Sequence, residues 1–183
     1  MEVNSSLRIT AKTVDDPLWA ELMGKLSPLY DGSLQLIFPD EWNEKYYSWF
    51  HEIEREDFRL ELRYAYEEIA RLLTHPNPLF FFVTRNGEPE ILVLGYSLKK
   101  EQEKTFYLDT FAVRQKGRRI GQIILGFLIE WARNMEYHAF LLDTEEEDEK
   151  GIPLRRFYEK NGFRVVARTQ TGNLTMRLSL QRS

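Results

Sequence analysis

Ile120, Ile123, Ile124, Phe127, Leu128, Trp131, Ala132 and Met135 recur at alternating steps of three and one residues. An α-helix gathers such a set onto one face, and a stripe this broad has to be covered by another layer. The neighbouring segments supply one. Residues 105–113 and 138–144 read as strands on either side of the helix. Residues 79–85 and 90–98 read as two more, joined through Asn86-Gly87, a pair that tolerates the positive φ of a tight hairpin. Residues 163–169 and 174–180 make a closing hairpin around Thr171-Gly172-Asn173, and the alternating, β-branched segment 7–14 makes a first strand. Asp15-Asp16-Pro17 is an N-cap signal with proline at the first helical position, which predicts a helix through about residue 29.

A second early helix is predicted over 58–73, with Phe58, Leu62, Ala65, Tyr66, Ile69, Leu72 and Leu73 on one face. Thr74-His75-Pro76-Asn77-Pro78 ends it, because proline cannot continue a helix. A short helix over 153–160 stops at Asn161-Gly162. Residues 30–50 show no period and read as irregular. The expected class is α/β (α+β): a mixed sheet in one domain spanning 1–183.

The 183-residue length and ordinary balance of 43% hydrophobic and 30% charged residues exclude a disordered or fibrous chain. The absence of cysteine removes thiol catalysis, disulfides and Cys-ligated metal. His51, His75 and His138 lie far apart without a metal-ligand spacing, so no metal is expected. The first residues carry no leader pattern, and no apolar run approaches the ~20 residues that span a bilayer. A soluble, cytoplasmic protein without membrane contact is expected. A net charge of -4 speaks against a nucleic-acid partner, leaving only the local patch at 114–119 for that reading.

That patch holds Arg114, Lys116, Arg118 and Arg119 with no acid, and Gly117 and Gly121 punctuate it. Glycines allow close backbone approach, and the first amides of the following helix point at the turn, so the combination suits an anion such as phosphate. A glycine-punctuated loop of solvated charges is the alternative. The turn is neither a P-loop nor a dinucleotide fingerprint. In the strand before it, alternation would put Asp109 on one face with Tyr107, Phe111 and Val113. A carboxylate among rings is costly to bury unless it is paired or protonated. It is therefore a proton acceptor, a substrate anchor or a structural acid.

With Phe157-Tyr158-Glu159-Lys160-Asn161-Gly162-Phe163, the turn resembles the two signature motifs of the GCN5-related N-acetyltransferase (GNAT) superfamily. Val113, Gly117, Ile120 and Gly121 fall in register, and the order of elements is similar over nearly the whole chain. The resemblance implies a mostly antiparallel sheet of about seven strands with about four helices. It also implies acetyl transfer from acetyl-CoA to a primary amine of a small molecule or peptide, by direct attack in a ternary complex. A catalytically silent CoA-binding or interaction module of the same fold is the alternative.

The family's turn, roughly [QR]-x-x-G-x-[GA], cradles the CoA pyrophosphate. Here Lys116 takes the first position, Arg119 replaces the first glycine and Gly121 keeps the last. On this resemblance Lys116, Gly117, Arg118, Arg119, Ile120 and Gly121 hold phosphate. Phe111, Ala112 and Val113 offer backbone groups to the pantetheine arm. Asp109 stands where the family usually has its carboxylate, and Tyr158 where it has a general acid, with simple core packing as the alternative for Tyr158. The ring-rich stretch 30–50 would wall the acceptor pocket through Tyr30, Trp42 and Tyr46, or else complete the core as a flap. The acidic run from Asp143 to Glu149 would steer a cationic amine or be a solvated loop. Pairing of the closing hairpin between subunits would make a homodimer.

Overall fold

The computed structural model describes residues 7–9, 16–98 and 103–181. Seven strands form one sheet in the order β2 (Leu34–Ile37), β4 (Leu79–Arg85), β5 (Glu88–Leu98), β6 (Thr105–Val113), β7 (Ala139–Thr144), β9 (Leu174–Ser179) and β8 (Arg164–Arg168). Every neighbouring pair is antiparallel except β6 and β7, which run parallel. That parallel pair is joined through α4 (Ile120–Asn134), because parallel neighbours need a crossover.

The sheet is covered on both faces. On one, Trp19, Leu22 and Leu26 of α1 (Pro17–Leu26) meet the apolar stripe of α4, and Trp19 packs on Phe127 at 4.7 Å. On the other, Phe50 and Ile53 of α2 (Glu44–Asp57) and Ile69 of α3 (Tyr66–Leu72) pack on Phe80, Phe82, Leu92 and Leu94. Burial on both faces explains why β4 reads as a continuous apolar run rather than an alternation. α5 (Leu154–Lys160) follows β7, and Gly162 at φ +91° ends it.

Asp16 caps α1 by accepting from the Leu18 amide at 2.9 Å, with Pro17 at the first helical position, as its sequence predicts. Three expectations about the early elements are corrected. Within segment 7–14 only Leu7–Arg8 is described as a strand, β1, while 10–15 lie outside the described residues. β1 pairs with β3 (Glu41–Trp42) in a separate two-stranded sheet, so the main sheet begins at β2. Second, the stretch 30–50 is not irregular. It holds β2, β3 and the start of α2, whose patterns its many rings conceal.

Third, 58–73 is not one helix. Phe58 ends α2 with extended dihedrals, and α3 begins only at Tyr66. Side chains hold the break open. Arg63 donates to the Phe58 and Arg55 carbonyls, Glu54 accepts from the Tyr64 amide, and Glu68 accepts from the Ala65 amide. Those bonds satisfy backbone groups that a continuous helix would have satisfied itself. Leu62, placed by periodicity on the apolar face, is instead exposed, as is its neighbour Leu60.

The central irregularity lies in β6. Leu94 pairs with Thr110 and Gly95 with Leu108, so Asp109 is an extra residue with no partner on β5. The parity of the strand flips there. Phe106 and Leu108 face the α4 side before the bulge, and Phe111 and Val113 face it afterwards. The expected shared face of Asp109 with Phe111 and Val113 is therefore corrected: Asp109 stays with Tyr107 on the α2 side. Gly95 makes the bulge feasible, because a Cβ there would lie 2.3 Å from the Phe106 ring and 2.8 Å from the Tyr107 carbonyl oxygen. Gly95→Ala is expected to cost about 2–3 kcal/mol through forced repacking, measured by urea denaturation.

Candidate active site

β6 and β7 share register from Thr105–Ala139 to Leu108–Leu142 and then part. β7 continues with Asp143 and Thr144 paired to β9, while β6 continues on β5 to Val113. A wedge therefore opens beside Asp109, the residue that is already unpaired on its β5 side. The Arg114 amide donates to the Glu90 carbonyl of β5 at 2.9 Å. By antiparallel alternation Ala112 also directs its backbone groups to β5, and Phe111 and Val113 direct theirs into the wedge. Two of the three residues expected to offer backbone bonds thus face the gap; Ala112 does not.

Three hydroxyls surround the Asp109 carboxylate. Tyr64 donates to Oδ1 at 2.9 Å, Thr110 donates to Oδ1 at 3.0 Å, and Tyr96 donates to Oδ2 at 3.1 Å. Burial pushes the Asp109 carboxyl above the usual aspartate range, against the pull of those three donors and of His75. Burial, followed by the Asp109 charge, pushes the Tyr64 and Tyr96 phenols upward, so both stay protonated as donors. The imidazole of His75 stacks on Tyr96 at 4.1 Å. Tyr107, 5.5 Å from the Tyr96 ring, donates to Asp143 on the β7 side at 3.0 Å. Tyr64, Tyr96 and His75 were not singled out by sequence. Tyr64 falls inside the segment that periodicity reads as helix, and only the Glu68 signal three residues after Ala65 marks a new helix start there.

Tyr158 packs against the α4-side core. Its ring meets Phe163 at 5.8 Å, and Phe163 packs on Phe140 of β7 at 5.4 Å. Burial alone pushes its phenol upward, and no described residue hydrogen-bonds its hydroxyl. It is therefore a neutral phenol at physiological pH.

The turn before α4 runs through three left-handed residues: Gly117 at φ +85°, Arg118 at +51° and Arg119 at +59°. Arg119 thus adopts the conformation glycine takes freely, at a cost of about 1–2 kcal/mol. The Ile123 amide donates to the Arg119 carbonyl, whereas no described backbone carbonyl accepts from the amides of Gly121 or Gln122. These are orphan donors of a helix start. A Cβ at Gly121 would stand 3.8 Å from Phe157, which brings α5 against this turn.

Two of the four cations are already neutralised by α2. Arg114 pairs with Glu52 at 2.8 Å and Glu56 at 2.6 Å, and Lys116 pairs with Asp57 at 2.8 Å. Arg118 donates to the Leu29 carbonyl at 2.6 Å. Arg119 alone of the four has no partner among the described residues. The wedge-facing backbone of Phe111 and Val113, the orphan amides and Arg119 together fit an extended ligand with a phosphate group, as acetyl-CoA is.

The ring-rich stretch is largely enclosed. Tyr30 is buried on the α1–α4 face, its hydroxyl without a partner and its phenol pushed up to about 12, first by burial and then by Glu90. Trp42 is fully buried on the opposite face and donates its indole N–H to the Tyr66 carbonyl at 3.2 Å. Tyr46 is half-buried and stacks on Phe82. The three residues are therefore not gathered around one opening.

The acidic run is mostly engaged within the chain. Asp143 accepts from Tyr107 and Thr175, Glu145 and Glu149 pair with Arg59, and Glu146 pairs with Arg155 and Arg168. A charged surface cleft of about 410 Å³ lies along α5 between Glu146, Gly151, Arg155, Arg156 and Glu159; neither Asp109 nor its tyrosines line it. No helix among the described residues is long and apolar enough to cross a membrane.

The sequence model of the Acetyltransferase (GNAT) family matches residues 37–163, and the chain belongs to that family. That family is one of acetyltransferases. Solved structures share the fold at low sequence identity. The ribosomal-protein-S18-alanine N-acetyltransferase from Escherichia coli is 15% identical with a TM-score of 0.63, covering 82% of this chain and 96% of its own. The aminoglycoside 6'-acetyltransferase type Ii is also 15% identical, with a TM-score of 0.62 over 82% and 99%. The PaiA N-acetyltransferase from Thermoplasma acidophilum, solved with coenzyme A, is 14% identical, with a TM-score of 0.60 over 80% and 99%. No relative is found by sequence among curated proteins.

Arg119→Ala is expected to lower acetyl-CoA affinity about tenfold, the loss of one exposed charge-assisted contact worth about 1.5 kcal/mol. Arg119→Gly should lose the same affinity yet be about 1 kcal/mol more stable than the alanine variant, because glycine relieves the positive φ. Calorimetric titration and thermal melts check both.

Proposed function

We propose that the chain acetylates a primary amine of a small molecule or peptide, with Asp109 as proton acceptor and Tyr158 as proton donor. The observation that supports this most is the state of Asp109. It is the bulged residue at the point where β6 and β7 part, with a carboxyl raised by burial and held in place by two phenols. A base for an ammonium must be ionised at working pH yet basic enough to accept a proton, and an aspartate with a raised pKa moves toward that balance. Acetyl-CoA, when bound, supplies the acyl thioester. Phe111 and Val113 orient it through their backbone groups, while the amides of Gly121 and Gln122 with Arg119 hold its phosphates. The Asp109 carboxylate takes one proton from the acceptor ammonium. The freed amine bonds to the thioester carbon as the C–S bond breaks; the Tyr158 hydroxyl gives its proton to the departing thiolate, and its phenolate takes the second proton from the acylated nitrogen.

The acceptor side is formed by Tyr64, Tyr96 and Tyr107, whose rings stand around the two carboxylates Asp109 and Asp143. Phenol rings beside carboxylates suit a cationic amine. Of Tyr30, Trp42 and Tyr46 only Tyr46 keeps partial exposure, and the Lys45 ammonium already stands 5.4 Å from its ring. The acceptors named for two of the structural relatives, a protein alanine and an aminoglycoside, differ in class, so the class to test here is open to both.

Thiol release from acetyl-CoA with a panel of primary amines and short peptides tests the reading. Asp109→Asn should lower kcat by about 10²–10⁴ with acetyl-CoA affinity held within about twofold. Tyr158→Phe should lower kcat in the same way. In the parent protein the acid limb of kcat should rise through a pKa above that of free aspartate, because the raised group has to lose its proton first. An unchanged kcat in Asp109→Asn would remove the carboxylate from the reaction.

A further inference from the structure

The break between α2 and α3 brings one buried carboxyl into contact with the site. Glu54, in the last turns of α2, is 1% exposed and lies beside the core residues Phe50 and Ile53. Its two oxygens have different surroundings. Oε1 accepts from the Tyr64 amide at 3.0 Å, while Oε2 is buried without a hydrogen-bond donor. Nδ1 of His51, one turn earlier, is likewise buried without a hydrogen bond and stands 4.0 Å from Oε2. A carboxyl this enclosed is costly, and an apolar residue of similar size would be cheaper in a packed core. Its one hydrogen bond among the described residues goes to the backbone of Tyr64, ten positions on. Tyr64 then carries a second bond from its phenol to Asp109 at 2.9 Å. The Phe50 ring, 6.4 Å away and edge-on, sets the plane of that phenol. The amide bond locates the residue, the ring contact orients it, and the hydroxyl reaches the carboxylate.

We propose that Glu54 is a positioning residue for acetyl transfer, pinning the Tyr64 backbone so that its phenol engages Asp109. This rests on the reading of Asp109 as the proton acceptor. Burial pushes the Glu54 carboxyl up to about 7, opposed by the Tyr64 amide and Arg63 and reinforced by Glu68 and Asp109. With His51 and Tyr64, these are the titratable and charged groups facing it. A carboxyl raised in the folded state binds its proton more tightly there than in the unfolded chain. Its contribution to stability is complete below about pH 4.5 and declines as pH rises towards 7.

The test uses the full chain with ¹⁵N-labelled tyrosine, in which Tyr64 is one of nine tyrosines and is identified by its loss in Tyr64→Phe. In the parent protein the Tyr64 amide signal should move with a midpoint near pH 7, and in Glu54→Gln it should not. In Glu54→Leu its hydrogen exchange should quicken at least tenfold. With the best amine of the panel, Glu54→Leu should lower kcat about tenfold with acetyl-CoA KM within twofold. Glu54→Gln, which keeps an acceptor oxygen, should restore kcat to within threefold, and Glu54→Leu should add no further loss in a Tyr64→Phe background. A Tyr64 amide unmoved by Glu54→Leu, or losses that multiply in the double variant, would overturn the proposal. If the leucine variant does not fold, a Tyr64 signal that titrates identically in parent and Glu54→Gln overturns it instead. Full turnover in Asp109→Asn would defeat the reading of the base while leaving the Glu54–Tyr64 signal intact, so the two failures are distinct.

Discussion

Asp109 loses its strand partners on both sides at once. On the β5 side it is the extra residue of a bulge, and on the β7 side the parallel register has just ended at Leu108. A backbone released from two ladders needs other hydrogen-bond partners or an opening to solvent and ligand, which is why such a place can host chemistry. The same extra residue inverts the parity of β6. The carboxylate then stays among phenols on the α2 face, while Phe111 and Val113 anchor the strand end in the α4 core. A Cβ at Gly95 would crowd the Phe106 ring and the Tyr107 carbonyl across the bulge.

α2 connects the two halves of the site. Within its last two turns Glu52 and Glu56 hold Arg114, Asp57 holds Lys116, and Glu54 holds Tyr64. The first three tie down the chain entering the turn before α4, and the last ties down the loop that reaches Asp109. The basic patch therefore does two different jobs. Arg114 and Lys116 brace the turn against α2, and Arg119 is left with its charge uncommitted. Burial raises the Asp57 carboxyl while the Lys116 ammonium opposes it, so this brace includes a desolvated charge whose partner is fixed by the fold.

Much of the frame could be read along the chain because its elements are local. Thr105–Val113 and the start of α4 at Ile120 follow from alternation and helical spacing, and the Asn86-Gly87 hairpin follows from turn chemistry. The turn before α4 was legible for the same reason: glycines, cations and a helix start lie within eight consecutive residues. Segment 58–73 misled because apolar spacing alone predicted a helix. The competing bonds came from Glu54 and from the Arg63 side chain folding back onto α2. β2 stayed hidden because a four-residue edge strand with partly exposed side chains has little period to show.

The sequence by itself determined the order of strands and helices from Leu79 onward, the family resemblance, and the choice of Asp109, Tyr158 and the turn residues as the groups to watch, since each sits in a local pattern. Only the tertiary structure decided which face Asp109 occupies and which phenols meet it. A one-residue bulge changes the parity of a strand, and contacts such as Tyr64 to Asp109 join residues 45 positions apart. It also decided that Arg114 and Lys116 are engaged and Arg119 is not. A charge is committed or free according to what folds against it, and that neighbour lies on another helix.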